Sequence, residues 1–427
     1  MNRRQRYDVV VIGAGTAGLA AATRLAQSGV RVCVVAKGIG STHLAPGTID
    51  ALGYASERVA NPRRAIAELA SRDPDHPYAL IGADLVDEAV EWLIGVAAAG
   101  PAPGYRYLGS LRQNFLLPTA LGALKPSAVI PETFAAGDSR QLGRLSVVGL
   151  PSLRDFHPAL CASNLVAAGI DARAVTVDVA VERADSTTLD MARLFDDPTW
   201  RASFAAALAP LVRAADHVGL PAMLGLKDPH TVLRDLEGRL GREVFEIPTL
   251  PPSVPGMRLF EILSHALRAA GGRLAFGAGV VGHERDGDRI ICVDTASAGS
   301  PTRYEADAFV LAAGGFHSGA ITLDSHRQAH EQVLGLPLHG VPGRDEPRFS
   351  TAYFDEQPMA RVGVSVDADL RAHGTANVVV AGASLPGAVP WREASGEGIA
   401  LSSGYRAAQV LVAQLAGHAS ERAEAPA

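Results

Sequence analysis

At the start of the chain, two short apolar runs flank a glycine-rich turn and a stretch with the periodicity of a helix. Val9 to Ile12 is a continuous apolar run, typical of a strand buried on both faces of a parallel sheet. An alanine- and leucine-rich stretch follows and predicts a helix, and Arg31–Val35 predicts a second strand. The first 38 residues therefore predict a strand, a helix and a strand.

A glycine motif separates the first strand from the helix. Gly13, Gly15 and Gly18 form G-x-G-x-x-G, in which the first glycine permits a tight turn, the second lets a phosphate approach, and the third allows close packing. The motif predicts a phosphate-bearing cofactor at the helix N-terminus, the alternative being a packing turn without a ligand. The candidate cofactor-binding residues here are Gly13, Ala14, Gly15, Thr16, Ala17 and Gly18.

The end of the second strand lacks an acidic residue. Dinucleotide sites of this type usually carry Asp or Glu there to bind ribose hydroxyls, whereas this chain has Ala36 and Lys37. Lys37 either favours a cofactor with a 2′-phosphate or is solvated. The pattern predicts the fold and leaves the identity of the cofactor open.

Similar patterns return in the last third of the chain. A helix with an apolar stripe precedes strands joined by a hairpin at Asp286-Gly287, and two further strands end in glycine turns. The predicted segments are the helix Met257–Ala270, the strands RLAF, VVGHE and RIICVDT, the strand Ala308–Ala312 before Gly314-Gly315, the strand Asn377–Ala381 before Gly382, and a helix from about Gly398 to Leu415. This order is typical of two-dinucleotide-domain flavoproteins.

The fold class is therefore predicted as α/β, with a Rossmann-like FAD/NAD(P)-binding domain of the two-dinucleotide-domain flavoprotein type and an inserted α+β capping domain. The composition between Asn61 and Pro255 is richer in proline and scattered arginine. The predicted division assigns residues 1–60, 255–345 and 375–417 to the flavin-binding domain, residues 61–254 and 346–374 to the capping domain, and residues 418–427 to a disordered tail.

Composition narrows the class of protein. A chain of 427 residues is long enough for two or three domains of ~150 residues. The net charge of −6 gives no electrostatic case for nucleic-acid binding. No apolar stretch approaches the ~20 residues of a membrane span, and the chain starts directly with a strand, so a cytoplasmic protein without membrane insertion is predicted.

The cysteines predict no metal centre. Cys33 and Cys292 lie in apolar strands and are expected to be buried core residues, and with Cys161 they form no C-x-x-C motif. Ligands for an iron–sulfur cluster or structural zinc are lacking, so electrons would have to pass to a partner or to a soluble acceptor.

Several later residues are candidates for the chemistry. Gly314 and Gly382 are expected close to the cofactor, the alternative for the Gly314-Gly315 turn being a plain turn. The helix N-terminus around Gly396 and Gly398 is expected to stabilise reduced flavin, an effect that Glu397 opposes unless it points to solvent. A substrate phosphate or carboxylate is predicted to be bound by Arg154, His157, His317, Arg348 and Arg392, the alternative for each arginine being a solvated face. His317 is the predicted acid/base group, with Arg154 and His157 as further catalytic candidates.

Five segments carry a family resemblance: HLAPGTIDAL from His43, LRDFHPAL from Leu153, LPPSVPGMRLFEIL from Leu250, LAAGGFHSG from Leu311 and YFDEQPMARVGVSVDADLR from Tyr353. With them the chain resembles the B-subunit of the bacterial anaerobic glycerol-3-phosphate dehydrogenase, within the fumarate-reductase-like flavoproteins. The resemblance implies FMN, with FAD as the alternative. It also implies two partners: a flavin-containing subunit that oxidises glycerol 3-phosphate to dihydroxyacetone phosphate, and an iron–sulfur membrane-anchor subunit that passes electrons towards quinone. The second partner would hold the chain at the inner face of the cell membrane.

The resemblance also implies roles for the loop after the second strand. His43 lies close to where related succinate-oxidising enzymes attach flavin covalently, and a covalent bond, a hydrogen bond and a surface position are the alternatives. Gly47 is a cofactor-binding candidate, and Thr48 and Asp50 either contact the ribityl chain or cap a helix.

Two departures from the family keep three functions open. The C-terminal loop LPGAVPWREASGEGIA carries Trp391, Arg392 and Glu393 where the family is richer in glycine, and Ala383 stands where many flavin enzymes have an acid. The leading hypothesis is a flavin-dependent subunit of a glycerol-3-phosphate dehydrogenase. The alternatives are a free-standing FAD-dependent dehydrogenase or reductase of a small acid, and a non-catalytic accessory subunit with a vestigial flavin site.

Overall fold

The computed structural model describes residues 3–181, 185–296, 301–352 and 355–424. Tyr353 and Phe354, which open one of the five family segments, lie outside the described residues. The α-helices are α1 (Thr16–Gln27), α2 (Pro62–Arg72), α3 (Pro77–Ile81), α4 (Ala83–Ala98), α5 (Pro158–Ala167), α6 (Thr188–Phe195), α7 (Pro198–Leu208), α8 (Pro229–Leu240), α9 (Val254–Ala269), α10 (Pro390–Glu393) and α11 (Gly396–Glu424).

The strands of the described residues are β1 (Arg3–Ile12), β2 (Val32–Ala36), β3 (Tyr107–Gly109), β4 (Phe115–Pro118), β5 (Leu124–Ser127), β6 (Val129–Pro131), β7 (Leu145–Gly149), β8 (Ala172–Thr176), β9 (His217–Pro221), β10 (Glu243–Ile247), β11 (Arg273–Phe276), β12 (Gly279–Asp286), β13 (Arg289–Ala296), β14 (Thr302–Leu311), β15 (Ile321–Leu323), β16 (Ala329–Glu331), β17 (Leu338–His339), β18 (Gly363–Val364) and β19 (Val378–Val380).

The chain divides into two compact units. The first contains residues 1–41, 63–90 and 263–427, and the second contains residues 42–62 and 91–262. This division differs from the predicted one. Residues 63–90 and 346–374 belong to the first unit, and residues 42–60 and 255–262 belong to the second.

A seven-stranded sheet forms the centre of the first unit, with the order β11-β2-β1-β14-β13-β12 and with β19 beside β14. Strands β11, β2, β1, β14 and β19 are parallel, whereas β12 and β13 form the predicted antiparallel hairpin. Val9, Val10 and Val11 are fully buried, as the apolar run predicts. The parallel strands bring their carboxyl ends to one edge of the sheet, where ligands of such folds bind.

Helix α11 packs closely on α1 through a glycine. A Cβ atom added to Gly404 would lie 2.2 Å from the carbonyl oxygen of Ala17, so the two backbones meet without a side chain between them. The helix continues to Glu424, beyond the predicted end at Leu415. Residues 418–424 of the predicted disordered tail are therefore helical, and residues 425–427 lie outside the described residues.

The second unit is built on a parallel four-stranded sheet of order β10-β9-β7-β8, with α5 to α8 between the strands along the chain. Two antiparallel pairs, β3 with β6 and β4 with β5, complete it. The larger sheet is thus α/β in character, whereas the sequence predicted α+β for the inserted region. Its strands have only five residues each, too few to give a clear pattern among prolines and arginines.

Within the described residues, none of the helices combines the length and the apolar character needed to cross a membrane. Cys33, Cys161 and Cys292 are all buried and unpaired, which confirms the core positions predicted for Cys33 and Cys292. Burial raises the pKa of the Cys33 thiol to about 11.

Candidate functional site

The three glycines of the motif follow the carboxyl end of β1 and differ in how closely other atoms surround them. A Cβ atom on Gly13 would lie 2.2 Å from the carbonyl oxygen of Ala312, and one on Gly18 would lie 2.0 Å from that of Gly13. The same atom on Gly15 would have no described atom within 4 Å. Gly13 and Gly18 are therefore required by the packing of the chain itself, and only Gly15 faces open space that a ligand can fill.

The N-terminus of α1 is suited to an anion. Gly15 is its N-cap residue, no described side chain caps it, and its first turn carries no acidic residue. The free backbone N–H groups and the positive end of the helix dipole therefore favour a phosphate. This geometry fits the predicted role of residues 13–18, which stays a prediction.

Glu397 approaches this helix end from α11. The hydroxyl of Thr16 donates a hydrogen bond to Oε2 of Glu397 at 2.8 Å, and the Glu397 side chain is half-buried. The carboxylate is thus directed to the first turn of α1. The sequence leaves the direction of this side chain open, and it could not show this contact.

Ala36 and Lys37 occupy the end of β2 as the sequence places them. Ala36 is buried and Lys37 is exposed. The buried methyl group of Ala36 cannot bind a ribose hydroxyl, and the role of Lys37 stays a prediction.

Three glycine turns meet at the same sheet edge. Ser384 donates a hydrogen bond from its hydroxyl to the carbonyl of Gly314 at 2.7 Å. A Cβ on Gly315 would lie 2.3 Å from the carbonyl oxygen of Ala383, and one on Gly382 would lie 2.8 Å from Cβ of Ala17. The turns after β14 and β19 are therefore packed on each other and on α1, so Gly314 and Gly382 lie beside the helix that carries the motif.

His317 is exposed and lies in the turn after Gly314 and Gly315. Its ring meets that of Trp391 edge to face, with 4.7 Å between the centroids. Trp391 is in the short helix α10, which precedes α11, and is 50% exposed. Trp391, which departs from the family pattern, thus packs against the ring of His317, the predicted acid/base group. The sequence did not reveal this contact.

Helix α10 is held by a pair that sequence reasoning missed, formed by a buried histidine and a partly buried glutamate. Nε2 of His76 lies 3.2 Å from Oε2 of Glu393, and the amide of Val389 donates to the other oxygen at 2.8 Å. The amide of Tyr78 donates to Nδ1 of His76, which leaves Nε2 as the donor to Glu393. Burial acts to raise the pKa of Glu393, but these hydrogen bonds outweigh it and the pKa is lowered.

In the second unit, the loop that carries His43 contains buried polar atoms without partners. Oγ1 of Thr42 and Nε2 of His43 have no hydrogen-bond partner among the described residues. The ring of His43 packs edge-on against Phe260, with 5.3 Å between the centroids, and burial lowers the pKa of His43. Two buried polar atoms left unpaired are costly without a ligand or water, so they fit a role in binding.

Gly47 and Thr48 are tied into the second unit. The hydroxyl of Tyr107 donates to the carbonyl of Gly47 at 2.7 Å. Thr48 donates to Oδ1 of Asp50 at 2.9 Å and accepts a hydrogen bond from Nζ of Lys125 at 3.2 Å. Lys125 also pairs with Asp50. The Thr48 and Asp50 side chains therefore hold β5 to this loop through Lys125, a residue that sequence reasoning missed.

The predicted substrate ligands are distributed over both units. Arg154 and His157 are exposed beside the start of α5 in the second unit, whereas His317, Arg348 and Arg392 belong to the first. Their grouping stays a prediction. Arg348 is an exception, since its buried guanidinium donates to the carbonyls of Pro342 and Gly343. It supports its own loop, because a backbone segment without regular structure needs donors for its carbonyls.

The family comparison identifies the chain. The family described as FAD binding domain matches residues 8–383. The B-subunit of the anaerobic glycerol-3-phosphate dehydrogenase of Yersinia pestis bv. Antiqua is 32% identical over 96% of this chain and 99% of its own length. The protein of the same name from Pectobacterium carotovorum is 32% identical over 95% and 99%. The chain belongs to the FAD binding domain family and, within it, to the family of these B-subunits.

Among solved structures, a 3-ketosteroid Δ1-dehydrogenase from Sterolibacterium denitrificans is 13% identical, with a TM-score of 0.45 over 96% of this chain and 100% of its own. An E. coli quinol fumarate reductase is 10% identical, with a TM-score of 0.44 over 98% of this chain and 74% of its own. The family membership confirms the resemblance and the Rossmann-like fold class, and it supports a flavin cofactor. The open position at Gly15 and the uncapped α1 fit such a group.

Proposed function

We propose that this chain is the flavin-binding B-subunit of an anaerobic glycerol-3-phosphate dehydrogenase complex. It contributes to oxidation of glycerol 3-phosphate to dihydroxyacetone phosphate, with electrons passing towards quinone. The observation that carries the proposal is the near full-length similarity to proteins of that name, together with an intact glycine motif whose Gly15 faces open space. The partners are a flavin-containing catalytic subunit and an iron–sulfur membrane-anchor subunit, which would place the chain on the cytoplasmic side of the membrane.

The flavin would supply the electron chemistry, and the chain would bind and orient it. Gly15 and the amides of α1 are proposed to hold a phosphate, with Gly314, Gly382 and the N-terminus of α11 at the ring system. His317 is the proposed acid/base group, because it is exposed and its ring is supported by Trp391. Arg154 and His157 remain the proposed ligands of the substrate anion.

For the identity of the flavin we propose FMN, and FAD, which the family description names, is the alternative. The reason is the methyl group of Ala36 at the place where a carboxylate usually binds the adenosine ribose. Acid or heat should release the flavin intact, and the mass of the released compound distinguishes FMN from FAD. Flavin that stays with the protein after denaturation would instead show a covalent bond, with His43 as the first residue to test.

A specific observation favours a second candidate, an accessory subunit with a vestigial flavin site. Neither Ala36 nor Ala383 offers a carboxylate, and Glu397 places a negative charge at the first turn of α1. The purified chain separates the two candidates. Yellow protein supports the flavin-binding subunit, and a colourless chain that gains no visible absorbance with added FMN or FAD supports the accessory subunit.

Reconstitution tests the place of the chain in a complex. We expect little glycerol 3-phosphate:quinone activity from the chain alone, because it has no cysteine pattern for a cluster that could pass electrons on. Activity should appear when the catalytic and iron–sulfur subunits are added. Robust turnover of glycerol 3-phosphate with a soluble dye by this chain alone would contradict the subunit role and favour a free-standing dehydrogenase.

A further inference from the structure

One carboxylate ties together the two ends of the short helix α10. Oε1 of Glu393 accepts a hydrogen bond at 2.8 Å from the amide of Val389, the residue that precedes the helix. Oε2 accepts one at 2.7 Å from the hydroxyl of Ser395, the second residue after the helix. The side chain that makes both contacts is only 16% exposed. Both ends of α10 are therefore held by Glu393.

α10 needs such contacts because it ends in a strained residue. Ala394, directly after the helix, has a φ of +49°, in the left-handed region that residues other than glycine rarely adopt. A helix of four residues makes few hydrogen bonds of its own, and a strained conformation persists only where the surrounding structure fixes it. The conformation of α10 therefore depends on the bonds that Glu393 makes.

His76 attaches α10 to the segment before α3. Its Nε2 lies 3.2 Å from Oε2 of Glu393, and its Nδ1 accepts a hydrogen bond from the amide of Tyr78 at 3.1 Å, so both ring nitrogens are used. A Cβ atom on Gly387 would lie 2.2 Å from the carbonyl oxygen of Asp75, so the backbone before α10 packs directly on the backbone before His76. The His76 side chain is 1% exposed. A buried ring fixed at both nitrogens is a rigid point of attachment for the helix.

Trp391 connects the position of α10 to His317. The planes of the two rings meet at 88°, with 4.7 Å between the centroids. Within the described residues, the His317 side chain makes no hydrogen bond, and the other ring against it, that of Phe316, is farther away at 6.2 Å. An exposed side chain without a hydrogen bond changes rotamer quickly unless its neighbours prevent it. Trp391 is therefore the main contact that orients the His317 ring.

We propose that His76 and Glu393 are positioning residues, which hold α10 so that Trp391 orients the ring of His317. The inference rests on the proposed function, in which His317 is the acid/base group. Such a group must lie within hydrogen-bond reach of the proton that it transfers, so the orientation of its ring affects the rate. All four residues belong to the first unit. Neither His76 nor Glu393 has to touch the flavin or the substrate to have this effect.

Fluorine NMR measures the contact between the two rings without flavin or substrate. The full chain is labelled with fluorotryptophan, and Trp391→Phe identifies the signal of Trp391 among the three tryptophans. His317→Asn should shift that signal, because the two rings are in contact. In a chain that also carries His76→Asn, the effect of His317→Asn on the signal should be largely lost, since α10 no longer holds Trp391 against position 317.

The variants at position 76 separate the two hydrogen bonds of the imidazole. His76→Asn keeps an acceptor for the amide of Tyr78, where His76 is the N-cap residue of α3, and it loses the donor to Glu393. His76→Gln keeps a donor at the place of Nε2, so it should retain most of the effect of His317→Asn on the signal. His339→Asn is the matched control, because it removes the pair with Asp75 and leaves Glu393 untouched.

Ser395→Ala gives a second test that does not touch α3. It removes the hydroxyl that donates to Oε2 of Glu393, and the effect of His317→Asn on the Trp391 signal should again be reduced. Thermal melting shows whether each variant folds. If the effect of His317→Asn stays complete in folded His76→Asn and Ser395→Ala variants, the proposal is overturned.

Turnover of the reconstituted complex measures the consequence for the reaction. His76→Asn should lower kcat about tenfold and leave KM for glycerol 3-phosphate unchanged, because the ring is misplaced and no substrate contact is lost. Where His317→Asn lowers kcat, a folded His76→Asn variant with the parent kcat would overturn the proposal. Where His317→Asn itself leaves kcat unchanged, the acid/base role in the proposed function fails, while the fluorine signals still test the positioning by His76.

Discussion

The hydroxyl of Thr16 and the carboxylate of Glu397 join the first turns of α1 and α11 by a hydrogen bond of 2.8 Å. Both helix ends carry the positive end of a helix dipole, and Thr16 follows Gly15, where the ligand space is open. A negative charge stabilises both helix ends when nothing is bound. The same charge would repel a phosphate at α1 and a negative charge on reduced flavin at α11.

Replacing Glu397 by Gln should therefore strengthen flavin binding. The amide oxygen of Gln can still accept from Thr16, while the charge is removed. A charge at a helix end contributes ~0.3–1 kcal/mol, which corresponds to roughly two- to fivefold tighter binding. Flavin fluorescence titration measures the affinity, and the midpoint potential should become more positive. Glu68→Gln, which removes an exposed carboxylate paired with Arg64 on α2, is the charge control. Weaker binding by Glu397→Gln would show instead that Glu397 itself binds the cofactor.

The motif glycines should separate binding from folding. Gly15 has a φ of −74° and open space at its Cβ, so Gly15→Val should fold with an unchanged melting temperature and lose the flavin. Gly18→Val forces a side chain against the carbonyl oxygen of Gly13, and it should lower the free energy of unfolding by roughly 3 kcal/mol or more. Visible absorbance and thermal melting of the two variants check this. Full flavin content in Gly15→Val would place the phosphate elsewhere.

The sequence predicts contacts between neighbouring segments of the chain, but it does not predict contacts between distant ones. Strand, turn and helix are adjacent in the chain, so apolar runs and glycine spacing predict β1, α1 and the turn between them. The bond from Thr16 to Glu397 joins residues 381 positions apart, and that from His76 to Glu393 joins residues 317 apart. No local pattern specifies such partners, because they meet only after the sheet and its helices have packed.

Helix α10, which precedes α11, should be sensitive to acid through Glu393. Its pKa lies below the ordinary 4.5 in the folded protein, because the hydrogen bonds of His76, Val389 and Ser395 outweigh the effect of burial. A carboxylate with a lowered pKa stabilises the fold above its unfolded pKa, and that contribution is lost as the pH falls through the folded value. The wild type should thus lose melting temperature as the pH falls below the ordinary carboxyl pKa of 4.5 and through the lower pKa that Glu393 has in the folded protein.

Glu393→Gln tests this pH dependence. The variant should be less stable than the wild type at neutral pH and should change less in melting temperature over the acidic range. Glu356→Gln, which removes an exposed partner of Arg361, should follow the wild-type curve. Parallel curves for Glu393→Gln and the wild type would show that the pair with His76 does not determine the acid sensitivity.

Lys125 should be a structural requirement of the loop around Thr48. Asp50 is buried and is contacted by Lys125, by the hydroxyl of Thr48 at 2.9 Å and by that of Ser127 at 2.7 Å. Lys125→Met leaves this carboxylate without a cation, and it should lower the free energy of unfolding by roughly 3 kcal/mol. Adding Asp50→Asn should restore part of the loss, because the uncompensated charge is then removed. Urea unfolding of the single and double variants measures both effects.

Thr48→Val separates this structural role from the predicted contact with the cofactor. The hydroxyl of Thr48 already donates to Asp50 and accepts from Lys125, so it has little capacity left for a ligand. Thr48→Val should therefore lose about 1–2 kcal/mol of stability and keep its flavin. The measurement is the flavin content of Thr48→Val after gel filtration. The matched control is Ser127→Ala, which removes the other hydroxyl that donates to Asp50. Loss of flavin from a stably folded Thr48→Val, but not from Ser127→Ala, would assign the Thr48 hydroxyl to the cofactor after all.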